Sequence, residues 1–171
     1  MQGVLNSDQI KQLSSQEPAL ISGCIDISEQ LQPSGIDLTL KEIFFFTSAG
    51  KITASNKNRL VSNLEALQFD KSGYIHLAPG AYLITYNETV NIPLNLMGLV
   101  FPRSSLLRSG VTVNIAVWDP GYSGRGQSML SVSNPQGFTL EKDARIVQMV
   151  FFTLEDASSG YSGIYQRENL E

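Results

Sequence analysis

The amino-acid sequence predicts an all-β fold, a distorted β-barrel or jelly roll, from three observations. After residue 20 the chain consists mainly of short apolar runs separated by Gly, Pro, Asn and Ser, among them IDLTL at 36–40 and EIFFFT at 42–47, predicted as two strands. The run VTVNIAVW at 111–118 alternates like a half-buried strand, with Val and Ile on one face. Turn sequences such as LAPGA, NIPLN, WDPGY and NPQG lie between the runs. Such a pattern indicates sheets packed around one core.

Two short helices are predicted within this β pattern. Near the N-terminus, Asn6 or the serine after it can cap a helix that ends before Pro18. A second helix of one or two turns is predicted after the PRSS motif at 102–105, since proline suits a first helical turn and Gly110 a helix end. The leucines at 106 and 107 are expected to face inward.

Length and charge limit the possible partners. The chain has 171 residues, of which 42% are hydrophobic, which fits a single domain over residues 1–171 with its own core. Twelve basic and 16 acidic residues give a net charge of −4, which argues against a general surface for nucleic acid or anionic membranes. No apolar run approaches the roughly 20 residues of a membrane span, and MQGVLNSDQI lacks the features of a signal peptide, so we expect a cytoplasmic protein.

The chain has one cysteine, Cys24, and one histidine, His76. No disulfide can form within the chain, and a zinc or iron site made of His and Cys ligands is excluded. A nucleophile of the Ser-His-Asp or Cys-His kind is disfavoured. Cys24 lies among the apolar or small residues of LISGCIDIS, which favours a buried, inert thiol over a reactive one.

The stretch FPRSSLLRSG contains a candidate anion site. Arg103, Ser104 and Ser105 lie where the second helix begins, so that unpaired backbone N–H groups, two hydroxyls and a guanidinium come together. Phosphate is the commonest anion for such a group, and Arg108 could turn toward it. A solvated helix end with arginines in weak surface ion pairs explains the same residues, and this segment alone leaves both interpretations open.

The stretch VWDPGYSGRGQ favours a reaction on phosphorus. Asp119 ends a strand and begins a tight Pro-Gly turn, which holds its carboxylate on rigid backbone. The turn explains Asp-Pro-Gly but leaves Tyr122 and Arg125 unexplained, with glycines at 124 and 126 that allow a ligand close to the backbone. A carboxylate beside an anion site can deprotonate a water for attack on phosphorus while arginines neutralise the developing charge.

The C-terminal residues 158–171, SSGYSGIYQRENLE, are rich in Gly, Ser and polar residues. Composition alone fits either a disordered tail or a mobile flap that becomes ordered over a ligand.

Five segments in order resemble the dUTPase and dCTP deaminase superfamily, and within it the archaeal-type dUTPases: PSGIDLTL (33–40), PRSSLLRSGV (102–111), AVWDPGYSGRGQ (116–127), ARIVQMVF (144–151) and YSGIYQ (161–166). This resemblance implies a dUTPase-like β-clip, a distorted barrel. It also implies dUTP as the small-molecule partner and a homotrimer with sites between subunits. Mg²⁺ is expected as the cofactor, bound through the triphosphate and waters rather than by dedicated protein ligands.

The resemblance also implies roles for individual residues. Asp119 would activate the attacking water, and Arg108 matches an arginine that deaminase members use near the base, so both are candidate catalytic residues. Tyr122 would pack against the deoxyribose and exclude a ribose hydroxyl. The other candidate substrate-binding residues are the phosphate ligands Arg103, Ser104 and Ser105, the hairpin residues Asn114 and Gln127, and Tyr165 and Gln166 of the tail. Asp37 and Arg145 match positions tied to subunit contacts or phosphate orientation.

One residue type distinguishes the two reactions of this superfamily, the glutamate that acts as a base in deamination. Deaminase members have a glutamate on the strand after the third motif, where this chain has GQSMLSVSN, with no acid between Asp119 and Glu141. Depending on the alignment, that position falls on Met129 or Ser131, and neither can take a proton. The sequence therefore predicts dUTP hydrolysis to dUMP and pyrophosphate. The alternatives are a dCTP deaminase, which is disfavoured, a non-catalytic nucleotide- or protein-binding member of the fold, and an unrelated sugar- or metal-binding jelly roll.

Overall fold

The computed structural model of the protein describes residues 3–157 and 159–170. Within these residues thirteen strands are present: β1 (Ile21–Ser22), β2 (Leu31–Gln32), β3 (Gly35–Phe46), β4 (Leu64–Ala66), β5 (Tyr74–Leu77), β6 (Gly80–Tyr86), β7 (Thr89–Asn91), β8 (Leu96–Pro102), β9 (Val111–Asn114), β10 (Ser123–Gly124), β11 (Gln127–Val132), β12 (Phe138–Glu141) and β13 (Arg145–Thr153). The helices are α1 (Ser7–Ser14), α2 (Ile27–Gln30) and α3 (Ser104–Arg108), with a 3-10 turn at Asn56–Asn58. The all-β prediction is confirmed.

The largest sheet is an antiparallel, nearly closed barrel. Its strand order is β8-β13-β3-β6-β11-β9, with β2 and β4 also paired to β3. The two strands at the ends of this order, β8 and β9, are joined by the short helix α3, which brings both edges of the sheet together. A closed sheet leaves few unpaired edge groups, and this explains why a chain with so many short strands needs no second layer of helices.

Two smaller sheets complete the fold. The order β1-β7-β10 forms a three-stranded antiparallel sheet, and β5 pairs with β12. In the first of these, Ser123 and Gly124 of β10 pair with Asn91 and Val90 of β7. This sheet therefore anchors the chain directly after the Asp-Pro-Gly turn.

The two predicted helices are present, with one difference in position. Asn6 caps α1 through its side chain, and Gln9 returns a bond to the Asn6 backbone, which is the reciprocal capping box that stabilises a helix start. Helix α3 includes the two serines of the PRSS motif instead of following it. Leu106 is buried as expected, but Leu107 is 55% exposed, so the expectation that both leucines face inward was wrong for Leu107.

Two strand predictions differ from the structure. IDLTL and EIFFFT form the single strand β3, because an irregularity between Leu40 and Glu42 shifts the pairing with β6 without ending the strand. The run VTVNIAVW is a strand only as far as Asn114. Ile115 and Val117 lie in the following segment and are largely exposed, so they do not continue the apolar face.

The core lies inside the barrel. The first half of β3, residues 35–40, is buried on both faces, and β8, β11 and β13 contribute alternate side chains from the remaining walls. The largest completely buried side chains include Tyr86, Phe151, Ile36, Leu38, Ile84 and Leu130. Of the helices in the described part of the chain, none is long and apolar enough to cross a membrane.

Candidate active site

Asp119 begins a tight turn at the edge of the barrel. The preceding Trp118 is buried and exchanges two backbone hydrogen bonds with Gly98 of β8, with N···O distances of 2.9 and 3.0 Å. The Tyr122 N–H closes the turn on the Asp119 carbonyl at 3.1 Å, and Gly121 has a φ of +79°, as the third residue of such a turn requires. The Asp119 side chain is therefore exposed to solvent on a backbone fixed at both ends.

Asp119 lines two pockets that also share Tyr161. The larger pocket has a volume of about 450 Å³ and mainly apolar and aromatic walls, formed by Phe46, Val61, Ser62, Leu64, Leu83, Ala116, Val117, Trp118, Asp119, Tyr122, Gly126, Gln127, Tyr161, Tyr165 and Glu168. The smaller pocket, of about 330 Å³, is lined by Asp119, Pro120, Gly160, Tyr161, Ser162 and Gly163. A carboxylate at the junction of an aromatic cavity and a second cavity can act on a ligand that extends between them.

Glycine at position 126 allows the Trp118 ring to form one wall of the larger pocket. A Cβ atom at Gly126 would lie 2.5 Å from Cζ2 of Trp118, which is far inside van der Waals contact. The centroid of the Trp118 ring lies 6.4 Å from that of the Tyr86 ring, in a tilted aromatic contact. The sequence indicated Gly126 as a place where a ligand approaches the backbone. In the structure, this glycine is required because it makes room for the Trp118 indole.

Tyr122 forms another wall and is held at its ring edge and at its hydroxyl. Its ring meets that of Tyr161 edge to face at a centroid distance of 5.9 Å, and its hydroxyl donates to Oε1 of Glu168 at 2.8 Å. Burial is the main cause that raises the pKa of Tyr122, and the negative charge of Glu168 raises it further. Burial also raises the pKa of Glu168, while the hydrogen bond from Tyr122 lowers it.

The C-terminal segment docks beside this turn. The Tyr161 N–H donates to the Pro120 carbonyl at 2.7 Å, and the Gln166 side chain bridges the Gly121 carbonyl (2.8 Å) and the Ser123 N–H (3.0 Å). Tyr165 lines the larger pocket, and its ring lies 5.8 Å from the Arg59 guanidinium carbon. Residues 159–170 therefore lie against the pocket, whereas residues 158 and 171 of the predicted flap lie outside the described residues.

The phosphate-binding candidates at α3 form a separate group. Nε of Arg103 lies 3.2 Å from Oδ2 of Asp37, and Nη1 of Arg145 lies 3.6 Å from the same oxygen. Burial raises the pKa of Asp37, and the two guanidinium groups oppose that shift. Ser104 and Ser105 are exposed in the first turn of α3. The carboxylate of Asp37 thus fixes the guanidinium of Arg103 at the start of α3.

Within one chain this cluster does not reach the Asp119 pockets. Arg103 and its neighbours Ser104, Ser105 and Arg108 line neither pocket. Trp118, the neighbour of Asp119, pairs with Gly98, and Arg103 follows Gly98 by five extended residues that rise about 3.3 Å each. The Arg103 backbone therefore lies about 16 Å along the strand direction from that pair. The expectation that the carboxylate lies beside the anion site is not met inside a single subunit.

The remaining candidates lie on the hairpin. Gln127 lines the larger pocket, with its Nε2 3.4 Å from Oγ1 of Thr85. Asn114 lines neither pocket, and its Nδ2 donates to Oγ of Ser131 at 3.0 Å. Met129 pairs with Asn114 across β9 and β11, and neither Met129 nor Ser131 lines the pocket. The structure therefore brings together Asp119, Tyr122, Gln127 and Tyr165, with Gln166 directly behind them.

Sequence reasoning missed several residues of the pocket. Glu168 supplies its second carboxylate, and Phe46, Val61 and Leu64 supply apolar walls from β3, β4 and the loop between them. No local signal marks these residues, because each reaches the pocket only through contacts distant in sequence. The contact of Tyr122 with Glu168, for example, spans 46 residues.

Among the described residues no group of three or more His, Cys, Asp and Glu side chains could enclose a metal ion. The larger pocket does present the exposed carboxylate of Asp119, whereas the carboxylate of Glu168 accepts a hydrogen bond from Tyr122. Mg²⁺ is commonly held by one or two carboxylates together with substrate phosphates and waters. The donor set of this pocket therefore fits a Mg²⁺ ion that is carried by a polyphosphate.

The fold and the pocket define an all-β, barrel-like protein with an aromatic cleft and an acidic turn at its edge. The chain belongs to the dCTP deaminase-like family, whose sequence model matches residues 4–154. A protein of Methanosarcina mazei named probable deoxyuridine 5'-triphosphate nucleotidohydrolase is 47% identical over 97% of this chain and 98% of its own length. The deoxyuridine 5'-triphosphate nucleotidohydrolase of Methanocaldococcus jannaschii is 42% identical over 81% of this chain and 88% of its own.

A solved structure supports the fold. The crystal structure of 2'-deoxycytidine 5'-triphosphate deaminase from Agrobacterium tumefaciens superposes with a TM-score of 0.67 at 19% identity. The match covers 89% of this chain and 49% of the deaminase chain, so this chain spans about half of that protein. At this identity the likeness concerns the β architecture alone.

Proposed function

We propose that this protein is a dUTP diphosphatase, which hydrolyses dUTP to dUMP and pyrophosphate with Mg²⁺. The observation that carries the proposal is the position of Asp119, an exposed carboxylate on a rigid turn at the junction of two pockets. Four relatives, three from Methanosarcina species and one from Methanococcoides burtonii, support it, since they are 44–47% identical over nearly the whole chain and all are named probable deoxyuridine 5'-triphosphate nucleotidohydrolases.

The larger pocket takes the nucleoside. Its volume of about 450 Å³ is within the range of small-molecule sites. The Tyr122 ring packs against the deoxyribose and leaves no room for a 2'-hydroxyl. Uracil lies against the segment that contains Ala116 and Val117, where backbone groups read its edge, with Gln127 beside them. Tyr165 and Gln166 close over the bound nucleotide as part of the flap at 158–171.

Hydrolysis then needs one proton acceptor and charge neutralisation. Asp119 takes a proton from a water, whose oxygen forms a bond to the α-phosphorus while the bond from phosphorus to the α,β-bridging oxygen breaks. Pyrophosphate leaves, and dUMP keeps the new oxygen. When bound, Mg²⁺ neutralises charge on the triphosphate. The fixed backbone of Asp119 lets its carboxylate orient the water for attack on phosphorus. Such positioning is a main source of catalysis in phosphoryl transfer.

The phosphates meet the arginine group of another subunit. Arg103 lies about 16 Å along the strand direction from the Trp118–Gly98 pair, and neither it nor Ser104, Ser105 or Arg108 lines a pocket, so these residues serve a site formed by an adjacent copy of the chain. A homotrimer with its active sites between subunits satisfies this requirement, since each subunit then gives one group to each of two sites.

Substitution of Asp119 by Asn tests the function. We expect Asp119→Asn to bind a non-hydrolysable dUTP analogue like the wild type while its kcat falls at least about a thousandfold, because the amide cannot accept the proton. Purified protein with Mg²⁺ and each deoxynucleoside triphosphate is assayed separately for monophosphate, pyrophosphate and ammonia.

The matched control is Asp156→Asn, which changes an exposed aspartate that lines neither pocket and should keep full activity. Undiminished pyrophosphate release by Asp119→Asn would remove Asp119 from its role. Ammonia release from dCTP by the wild type would instead support the deaminase alternative.

A further inference from the structure

Glu168 is a carboxylate of the nucleoside pocket to which the proposed reaction gives no task. It is half-buried, and it accepts a hydrogen bond from the Tyr122 hydroxyl at 2.8 Å. Tyr122 itself is only 6% exposed. A carboxylate in a hydrogen bond with a buried phenol is costly to desolvate, so the pair needs a reason beyond packing.

The Tyr122 ring lines the larger pocket and is held there by three contacts. Tyr161 packs edge to face against it at a centroid distance of 5.9 Å, which restrains the plane of the ring. The hydroxyl end lies over Gly124, where an added Cβ would approach Oη to 2.7 Å, so the backbone makes room for it. The hydrogen bond to Glu168 is the directional contact that sets where the hydroxyl end of the ring points.

The backbone around Glu168 is attached independently of its side chain. The Arg125 N–H donates to the Glu168 carbonyl at 3.0 Å, and the Arg167 N–H donates to the Ser123 carbonyl at 2.7 Å. Asn169 adds a side-chain bond from Nδ2 to the Arg125 carbonyl at 2.9 Å. The carboxylate can therefore be removed by substitution while the segment stays docked on β10.

We propose that Glu168 is a positioning residue that sets the sugar specificity of the site. By holding the Tyr122 hydroxyl, it fixes the direction of the ring axis, so that the ring closes the space beside C2' of the sugar. The ring then discriminates against a ribose by its orientation as well as by its bulk. This inference rests on the proposed function, which supplies the nucleotide and the packing of Tyr122 against its sugar.

The test compares dUTP with UTP as substrates. We expect Glu168→Ala to lower the ratio of kcat/KM for dUTP over UTP about tenfold, because a mobile ring admits the 2'-hydroxyl. Tyr122→Phe keeps the ring and loses the same hydrogen bond, so we expect the same fall. The double variant should fall no further than either single variant, since both remove one interaction.

Two further variants separate positioning from a structural effect. Glu168→Gln keeps an amide oxygen that accepts from the hydroxyl, so we expect its dUTP/UTP ratio to stay within about twofold of the wild type. Ile164→Ala changes an exposed side chain of the same segment outside both pockets and should leave the ratio unchanged.

Each outcome decides the inference. An unchanged ratio in Glu168→Ala or in Tyr122→Phe overturns it, as does an equal loss of kcat for both nucleotides or an additive double variant. If Glu168→Ala does not fold, Tyr122→Phe removes the same hydrogen bond by deleting its donor. The ratio of kcat/KM for dUTP over UTP in that variant then decides the inference. If the wild type does not hydrolyse dUTP, the proposed function fails and the inference falls with it, whereas an active wild type with an unchanged ratio removes only the inference.

Discussion

At the scale of the residue, burial controls which side chains can react. Cys24 is half-buried, and burial raises the pKa of its thiol to about 11, with a further contribution from the negative charge of the Glu88 carboxylate. Glu88 is itself completely buried and accepts hydrogen bonds from Gln30 and Thr39. The inert thiol predicted from the sequence fits this environment, because only the thiolate is nucleophilic.

The thiol gives a direct test. At pH 8 we expect iodoacetamide to alkylate Cys24 in the folded protein about a hundredfold more slowly than in protein unfolded in guanidinium chloride, where the pKa returns to about 8.5. Intact-mass spectrometry follows the single modification. Since the chain has one cysteine, no other thiol contributes, and equal rates in the two states would contradict the assignment.

At the scale of the element, the segment between β3 and β4 lines the larger pocket together with the C-terminal segment. Lys51 and Leu60 exchange two backbone hydrogen bonds of 2.8 Å, which closes the loop on itself. Beyond this closure Val61 and Ser62 line the pocket, and Arg59 lies over the Tyr165 ring. One guanidinium thus links two elements that are far apart in sequence.

This link predicts an effect on substrate binding. A cation–π contact at a partly exposed site contributes about 0.5–1 kcal/mol, so we expect Arg59→Ala to raise KM for dUTP about two- to fivefold with little change in kcat. Arg59→Lys, which keeps the charge, should lie between this variant and the wild type. Steady-state kinetics measure both, and a large fall in kcat would instead place Arg59 at the phosphates.

The elements also show how far sequence reasoning reaches. Helix α1 was predicted because its signal is local, a cap at Asn6 only three residues from its partner Gln9. The continuity of β3 was missed because charged residues at 41 and 42 look like a break, whereas the pairing with β6 resumes after the irregularity. The turn of Asp119 follows from its own residues. By contrast, the pairing of Tyr122 with Glu168 and that of Arg103 with Asp37 depend on contacts that only the folded chain creates.

At the scale of the whole molecule, one subunit contains both halves of the proposed site but holds them apart. Asp119 lies at both pockets and Tyr122 at the larger one, while Arg103 is tied to Asp37 at the start of α3. Strand β8 connects the two places and is rigid, since it pairs with β13 along residues 96–102. Because Arg103 lines neither pocket and lies about 16 Å along the strand direction from the Trp118–Gly98 pair, the proposed site takes its phosphate-binding arginine from another copy of the chain.

Mixing two inactive variants tests this arrangement. Asp119→Asn and Arg103→Ala should each have low activity as pure proteins, whereas co-refolding them in equal amounts should restore up to about one quarter of the wild-type activity, because one site in four then combines an intact Asp119 with an intact Arg103. Each variant refolded alone is the control, and sedimentation equilibrium measures the number of subunits. A mixture no more active than its components would mean that Asp119 and Arg103 do not act across a subunit boundary.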